Sequence, residues 1–135
     1  MPSSSWALQQ ALYSAVTGSA PLAALIGPPR VYDDVPQGAA FPYLTLGQST
    51  LRDWSTGTDD AEEHTLTLHV WSRAGGRREM HEVMDVLRVA LHDQPLALAG
   101  HRLVNIRHEI SEARRDPDGE TYHGIVRFRA VTEPV

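Results

Sequence analysis

EEHTLTLHVWS (62–72) alternates along its length: Leu66, Leu68 and Val70 fall on one side, Thr65, Thr67, His69 and Trp71 on the other. Successive side chains of a strand point to opposite faces, so this two-residue period marks a strand with one face in a core and one facing out. Half-buried strands belong to antiparallel sheets, and this one predicts an α+β fold, an antiparallel sheet flanked by helices.

Towards the C-terminus, Gly75 and Gly76 break the chain, and residues 77–92 then read as a helix. Met80, Val83, Met84, Leu87, Ala90 and Leu91 form one apolar stripe, with Arg77, Glu79, Glu82, Asp85 and Arg88 mostly off it. Asp93 and Pro95 end it. Residues 102–112 read as a strand with Val104, Ile106 and Ile110 on one face. DPDG (116–119) suits a tight reversal in which glycine supplies positive φ. Residues 121–132 return as the partner strand, with Gly124, Val126, Phe128 and Ala130 on one side and Ile125, Arg127, Arg129 and Val131 on the other. This C-terminal hairpin spans 102–132, and the tail from Glu133 to Val135 is expected to fray.

Towards the N-terminus, residues 47–61 are polar, with two glycines and three aspartates, and read as a long flexible loop. Tyr43 to Leu46 alternate and form a short strand, 33–42 is turn-rich, and Arg30 to Tyr32 is extended. Residues 4–17 read as a helix capped by Ser4 or Ser5, with Leu8, Ala11, Leu12, Ala15 and Val16 at helical spacing. Pro21 opens a second short helix to Ile26, which Gly27, Pro28 and Pro29 stop. The two make a helical hairpin over 4–26. All of it fits one domain, 1–135.

Composition narrows the function classes. Apolar residues make up 41% and charged residues 21%, the balance of a globular domain. There is no cysteine, so disulfides, thiolate metal sites and a cysteine nucleophile are excluded. No apolar run has the ~20 residues of a membrane span, and MPSSSWALQQALYSA does not read as a signal peptide. All twelve cations are arginine, and the net charge is −5. The acidic excess lies in the first hundred residues. Tight sequence-independent binding of nucleic acid needs a basic excess that this chain lacks, and a membrane-surface role fails for the same reason.

No catalytic or metal motif stands out. Of the seven histidines, His81 is followed by Glu82 but by Asp85 where a zinc protease needs its second histidine. His64 and His69 face opposite sides of their strand, and His108 and His123 are the pair that the C-terminal hairpin can bring together. No serine sits in a Gly-x-Ser-x-Gly elbow. The pairs Asp33–Asp34, Asp59–Asp60 and Glu62–Glu63 read as solvated acids, since catalysis needs burial or a charged partner to separate their pKa values. Trp54, an indole in a polar stretch, either tucks back onto its own sheet or anchors a partner. Arg114 and Arg115, at the base of the hairpin turn, either reach a partner's anions or are solvated.

Three blocks carry a family resemblance: RVYDDVPQGAAFPYLTLG (30–47), EEHTLTLHVWSRAGGRREMHEVMDVLRVALHD (62–93) and LALAGHRLVNIRHEISEARRDPDGETYHGIVRFRA (96–130). With the N-terminal LQQALY they cover most of the chain, and they resemble the tail-completion, or tail-terminator, proteins of siphophages, most closely the version in gene transfer agents of α-proteobacteria. The resemblance implies a structural protein with no catalytic residues and no cofactor. The resemblance further implies a hexameric ring that stops the tail tube and joins it to the head–tail connector or stopper protein, with DNA expected to pass through the lumen without specific binding. The expected location is the head–tail junction of a virion or phage-like particle, after assembly in the host cytoplasm. A closed ring needs two different complementary patches on each copy. The acidic N-terminal two thirds and the arginine-containing C-terminal hairpin are expected to supply them, and the 47–61 loop and the 114–120 tip to project towards the tube, the connector or a neighbouring copy, with Arg52, Asp53, Trp54, Arg114, Arg115, Asp116 and Asp118 as interface residues. A small hydrolase using histidine and carboxylates, which predicts a deep polar pocket, and a nucleic-acid-binding module are the competing readings.

Overall fold

The computed structural model describes residues 3–27 and 30–135. Two helices open the chain, α1 (Ser4–Thr17) and α2 (Ala20–Ile26), followed by strands β1 (Val31–Tyr32), β2 (Tyr43–Asp53) and β3 (Glu62–Ser72). A third helix, α3 (Arg78–Leu91), precedes β4 (Ala97–Leu98), β5 (His101–Arg115) and β6 (Tyr122–Pro134). The six strands form one sheet in the order β1-β2-β3-β6-β5-β4, antiparallel throughout except for the parallel β1–β2 pair. Among the described residues no helix is long and apolar enough to cross a membrane.

All three helices lie on one face of the sheet. Leu8, Leu12 and Val16 of α1, Leu22 and Ile26 of α2, and Met80, Val83, Leu87 and Leu91 of α3 pack against Leu44, Leu68, Val70, Ile106, Val126 and Phe128. The α3 stripe read from spacing is buried except for Ala90, which is half-buried. α3 sits close because β6 has Gly124 beneath it: a Cβ there would lie 2.6 Å from Met84 Sδ and 3.1 Å from Met80 Cγ. The turn at 116–119 forms as expected, with Gly119 at φ 72° and its N–H donating to Asp116 O at 3.0 Å.

Three of these expectations need correction, and a fourth falls partly outside the described residues. The α1 cap is Ser3, whose Oγ accepts from Trp6 N–H at 3.1 Å; Ser4 is buried and donates instead to Glu62 Oε1 at 2.6 Å. Of the proposed stop after α2, Gly27 closes the helix, while Pro28 and Pro29 lie outside the described residues. β2 does not end at Leu46: it continues through Asp53, so the loop read as 47–61 is confined to residues 54–61. Residues 47–53 are exposed on both faces, so no alternation could mark them as strand. The Glu133–Val135 tail is not free either, because β6 extends to Pro134 and Glu133 pairs with Arg102 in register and as an ion pair.

The face assigned to Val104, Ile106 and Ile110 is also split. Register shifts between Leu103 and Asn105, and again between His108 and Ile110, each insert one extra residue into β5. A bulge reverses which face later residues take. Only Ile106 is buried; Val104 and Ile110 are 51% and 48% exposed.

Candidate interaction surface

Among the described residues the far face of the sheet carries no helix. Cross-strand pairing places on it Tyr43, Thr45, Thr50 and Arg52 of β2, and Glu63 to Trp71 at odd positions of β3. β6 adds its odd positions from His123 to Glu133, and β5 adds Arg102, Asn105, Arg107, Ile110, Glu112 and Arg114. This face holds six of the twelve arginines and three glutamates, Glu63, Glu112 and Glu133. Its formal charge is therefore +3, which leaves −8 on the rest of a chain whose total is −5. The basic positions come from three strands, so a count along the sequence does not reveal them as one surface.

At one end of this face, Glu63 accepts from Arg129 Nε at 2.5 Å and pairs with Arg52 Nη2 at 3.1 Å. The Trp54 ring lies by both guanidinium groups, 5.0 Å from Arg52 and 5.3 Å from Arg129, and is still 46% exposed. Of the two alternatives weighed for it, the indole takes the first and rests on its own sheet, with part of its surface open. Asp53 instead turns into its own loop. Its Oδ1 accepts from Ser55 N–H and Oγ–H, which holds its carboxyl below the usual range.

A line of rings occupies the other end. Phe41, Tyr43 and Trp71 follow one another at 4.9 and 6.4 Å, and Trp71 stacks on His123 at 3.9 Å with 8° between planes. His69 lies 4.8 Å from His123, and their facing nitrogens are 2.6 Å apart. Arg73 covers Phe41 at 4.4 Å, and Trp71 Nε1–H donates to Thr45 Oγ1 at 3.0 Å. Gly47 makes room for this row: a Cβ on it would stand 2.4 Å from His69 Nε2. Burial is the main cause that lowers both His69 and His123 below the ordinary 6.5, followed at His69 by Arg114 and at His123 by His69 and then Arg114.

The hairpin-tip candidates divide by role. Arg114 reaches this cluster, its Nη2 donating to His123 Nδ1 at 3.4 Å. Arg115 folds back and donates to Gly119 O through Nε and Nη2. Asp118 accepts from the Glu120 and Thr121 amides and the Thr121 hydroxyl, which pulls its pKa down to about 2. Asp116 donates its amide to Thr121 O. Arg115, Asp116 and Asp118 therefore shape the turn. The expected His108–His123 pair does not form: the bulge before Ile110 sends His108 to the helix side, edge-on to Phe128 and bonded to Ser111 Oγ at 2.7 Å. His69, Trp71, Glu63 and Arg129 were missed as site residues, although the β3 alternation already put three of them on one face.

The two candidate groups stand at opposite ends of the strands. Arg129, beside Trp54, and Tyr122, paired with Arg115, are seven residues apart on β6, about 23 Å at ~3.3 Å per residue. A hollow between α1, β2 and β3 has a volume of about 20 Å³, room for about one water. Among the described residues no group of three or more histidine or acidic side chains is placed to hold a metal ion.

The tail completion protein gp17 family matches residues 10–133. The chain belongs to that family. It is 27% identical over 125 residues to the tail completion protein gp17 of Bacillus phage SPP1, covering 91% of this chain and 90% of that protein. Its fold superposes with a TM-score of 0.89 on a chain in the virion of a native gene transfer agent particle, at 30% identity and covering 98% and 99% of the two chains. Another solved structure, 13% identical with a TM-score of 0.56, shares the fold alone. As a tail completion protein of the gp17 family, the chain is a structural component of a phage or gene-transfer-agent particle, and not an enzyme. The hydrolase reading is set aside on that membership.

Proposed function

We propose that this tail completion protein forms a hexameric ring that ends the tail tube and joins the tail to the head–tail connector or stopper. The observation that carries this reading is the placement of the candidate residues. Arg52, Asp53 and Trp54 crown one end of the strands, and Arg114, Arg115, Asp116 and Asp118 the other. A ring whose strands run, inclined, from one rim to the other then offers one rim to the tube protein and the other to the connector. Each end has its own chemistry: an indole between arginines at one, a rigid charged turn at the other. A net charge of −5 opposes retention of DNA passing through the lumen. Assembly takes place in the host cytoplasm, and the finished ring sits at the head–tail junction.

Deletion of the chain from a particle-producing strain tests this. The expected result is separate heads and tails of irregular length, both corrected by supplying the wild-type chain. Head-bearing tails of normal length without it would overturn the proposal.

A further inference from the structure

The sheet has two open edges. β1 covers the outer side of β2 only at Leu44 and Thr45, and β4 covers β5 only at His101 and Arg102. The end of α3 closes a further piece of β5: Asp93 N–H donates to Ile106 O at 2.8 Å, and His108 N–H donates to His92 Nδ1 at 3.0 Å. Among the described residues this leaves β2 from Leu46 to Asp53 and β5 from Ser111 to Arg115 with no strand beside them. Bare edges of this length are templates for another strand, and proteins usually cover them.

The backbone direction at each edge follows from its last bonded residue. Trp54 N–H points inward to Ala61 O, so alternation turns the amides of Asp53, Leu51 and Ser49 outward. Asp116 N–H points inward to Thr121 O, so those of Arg115, Ala113 and Ser111 turn outward.

We propose that these edges join in the assembled ring, β2 of one copy lying antiparallel to β5 of the next, with Leu51 opposite Ala113. The inference rests on the self-assembly proposed above and names its contact. Strand polarity agrees. The order β2-β3-β6-β5 alternates direction, so β2 and β5 run opposite ways, and copies placed side by side in one orientation bring antiparallel edges together. The register agrees as well. With Leu51 opposite Ala113, outward amides meet outward amides, Arg52 faces Glu112, and Thr50 faces Arg114, all four on the uncovered face. Opposite charges directly across a ladder favour the pairing.

Sterics fit the same register. The free part of β2 is at the Glu62 end of β3, and that of β5 is at the Ser72 end. Joined copies are therefore staggered along the strands. β1 borders Leu44 and Thr45, outside the Ser49–Asp53 stretch that the register pairs, and the residues after α3 border Ile106 and His108, outside the Ser111–Arg115 stretch, so neither lies within the ladder. A constant stagger between strands is what closing a sheet on itself requires. The two edges differ from each other, as a head-to-tail ring demands.

The chain has no cysteine, which permits a direct test in assembled particles. In the double variant Thr50→Cys/Arg114→Cys, the two positions within one copy are three strand spacings apart across the sheet, about 14 Å, and six residues apart along it, about 20 Å, far beyond the ~7 Å Cα limit of a disulfide. Oxidation of the particles is expected to give a reducible ladder of linked chains, with each single variant remaining monomeric. If rings are visible by electron microscopy but no ladder forms, edge pairing is overturned while the ring stands. If the wild-type chain forms no ring in the particles, both fall. Leu51→Pro provides a second arm. It removes one outward N–H at an edge, where proline is tolerated, and is expected to reduce ring-assembled chain about tenfold with little change in the melting temperature of the free chain. Unimpaired assembly of Leu51→Pro would overturn the contact.

Discussion

His123 Nε2 lies 2.6 Å from His69 Nδ1, and the direction of that hydrogen bond is fixed by a third residue. Arg114 can only donate, and its Nη2 faces His123 Nδ1 at 3.4 Å. The His123 proton is therefore on Nε2 and is given to His69 Nδ1. Arginine, histidine and histidine form one directed chain, and both rings must be neutral for it to hold.

A pH dependence follows. Burial, the largest cause at each, lowers His64, His69, His108 and His123 below 6.5. Arg114 faces the His69–His123 pair as a like charge, while Asp116 and Glu112 act in the opposite direction at His123. A depressed folded pKa means that the unfolded chain takes up protons first as pH falls. The stabilisation is complete above about pH 6.5 and is lost below it. Melting temperature should decline steadily from pH 7 to pH 5, and His69→Asn/His123→Asn should flatten the decline. A flat profile for the wild-type chain would contradict the directed chain.

Asp118 should titrate separately. Three hydrogen bonds from Glu120 and Thr121 hold it at about 2, against 3.8 for a free aspartate. Its contribution to the turn is present above about pH 4 and disappears as pH falls towards 2. Carboxyl-carbon NMR should place its midpoint at about 2, below the 3.8 of a free aspartate, and Asp118→Asn should speed amide exchange at Glu120 and Thr121.

Gly124 should not tolerate a methyl group. The new Cβ would press on Met84 Sδ and Met80 Cγ, and overpacking of this kind costs about 1–3 kcal/mol. Pairing Gly124→Ala with Met84→Ala should give a coupling that recovers part of the loss, read by urea denaturation. Leu87→Ala, fully buried in the same layer, should cost about 2–5 kcal/mol.

Trp54→Ala and Arg114→Ala should leave stability nearly unchanged, since the indole is half-exposed and the arginine is on the surface. Tail joining should fall in both. Arg115→Ala removes two bonds to Gly119 O and should loosen the turn as well. Normal particle yield from all three variants would remove these residues from the interface.

The parts legible in the sequence are those where one pattern decides. β3 and α3 have clean periods, two residues in one and about 3.6 in the other, and β6 alternates around Val126 and Phe128; all three lie where expected. β2 beyond Leu46 was hidden because Gly47 to Asp53 is held by its backbone ladder and buries neither face. The β5 pattern misled because two bulges reverse its faces. The histidine pair was invisible for another reason: His69 and His123 are 54 residues apart, and only the register Trp71↔His123 brings them together. Trp54 and Arg52 were legible as candidates because aromatic and charged residues in a polar stretch lack a packing role; their partner Arg129 sits in an ordinary alternating strand.

The most direct measurement is a reconstruction of the head–tail junction by electron microscopy without imposed symmetry. The account predicts one ring of six copies between tube and connector, with the Trp54 end against one neighbour and the 116–119 turn against the other. A junction that lacks this chain, or holds it as a single copy on the outer wall, would contradict it.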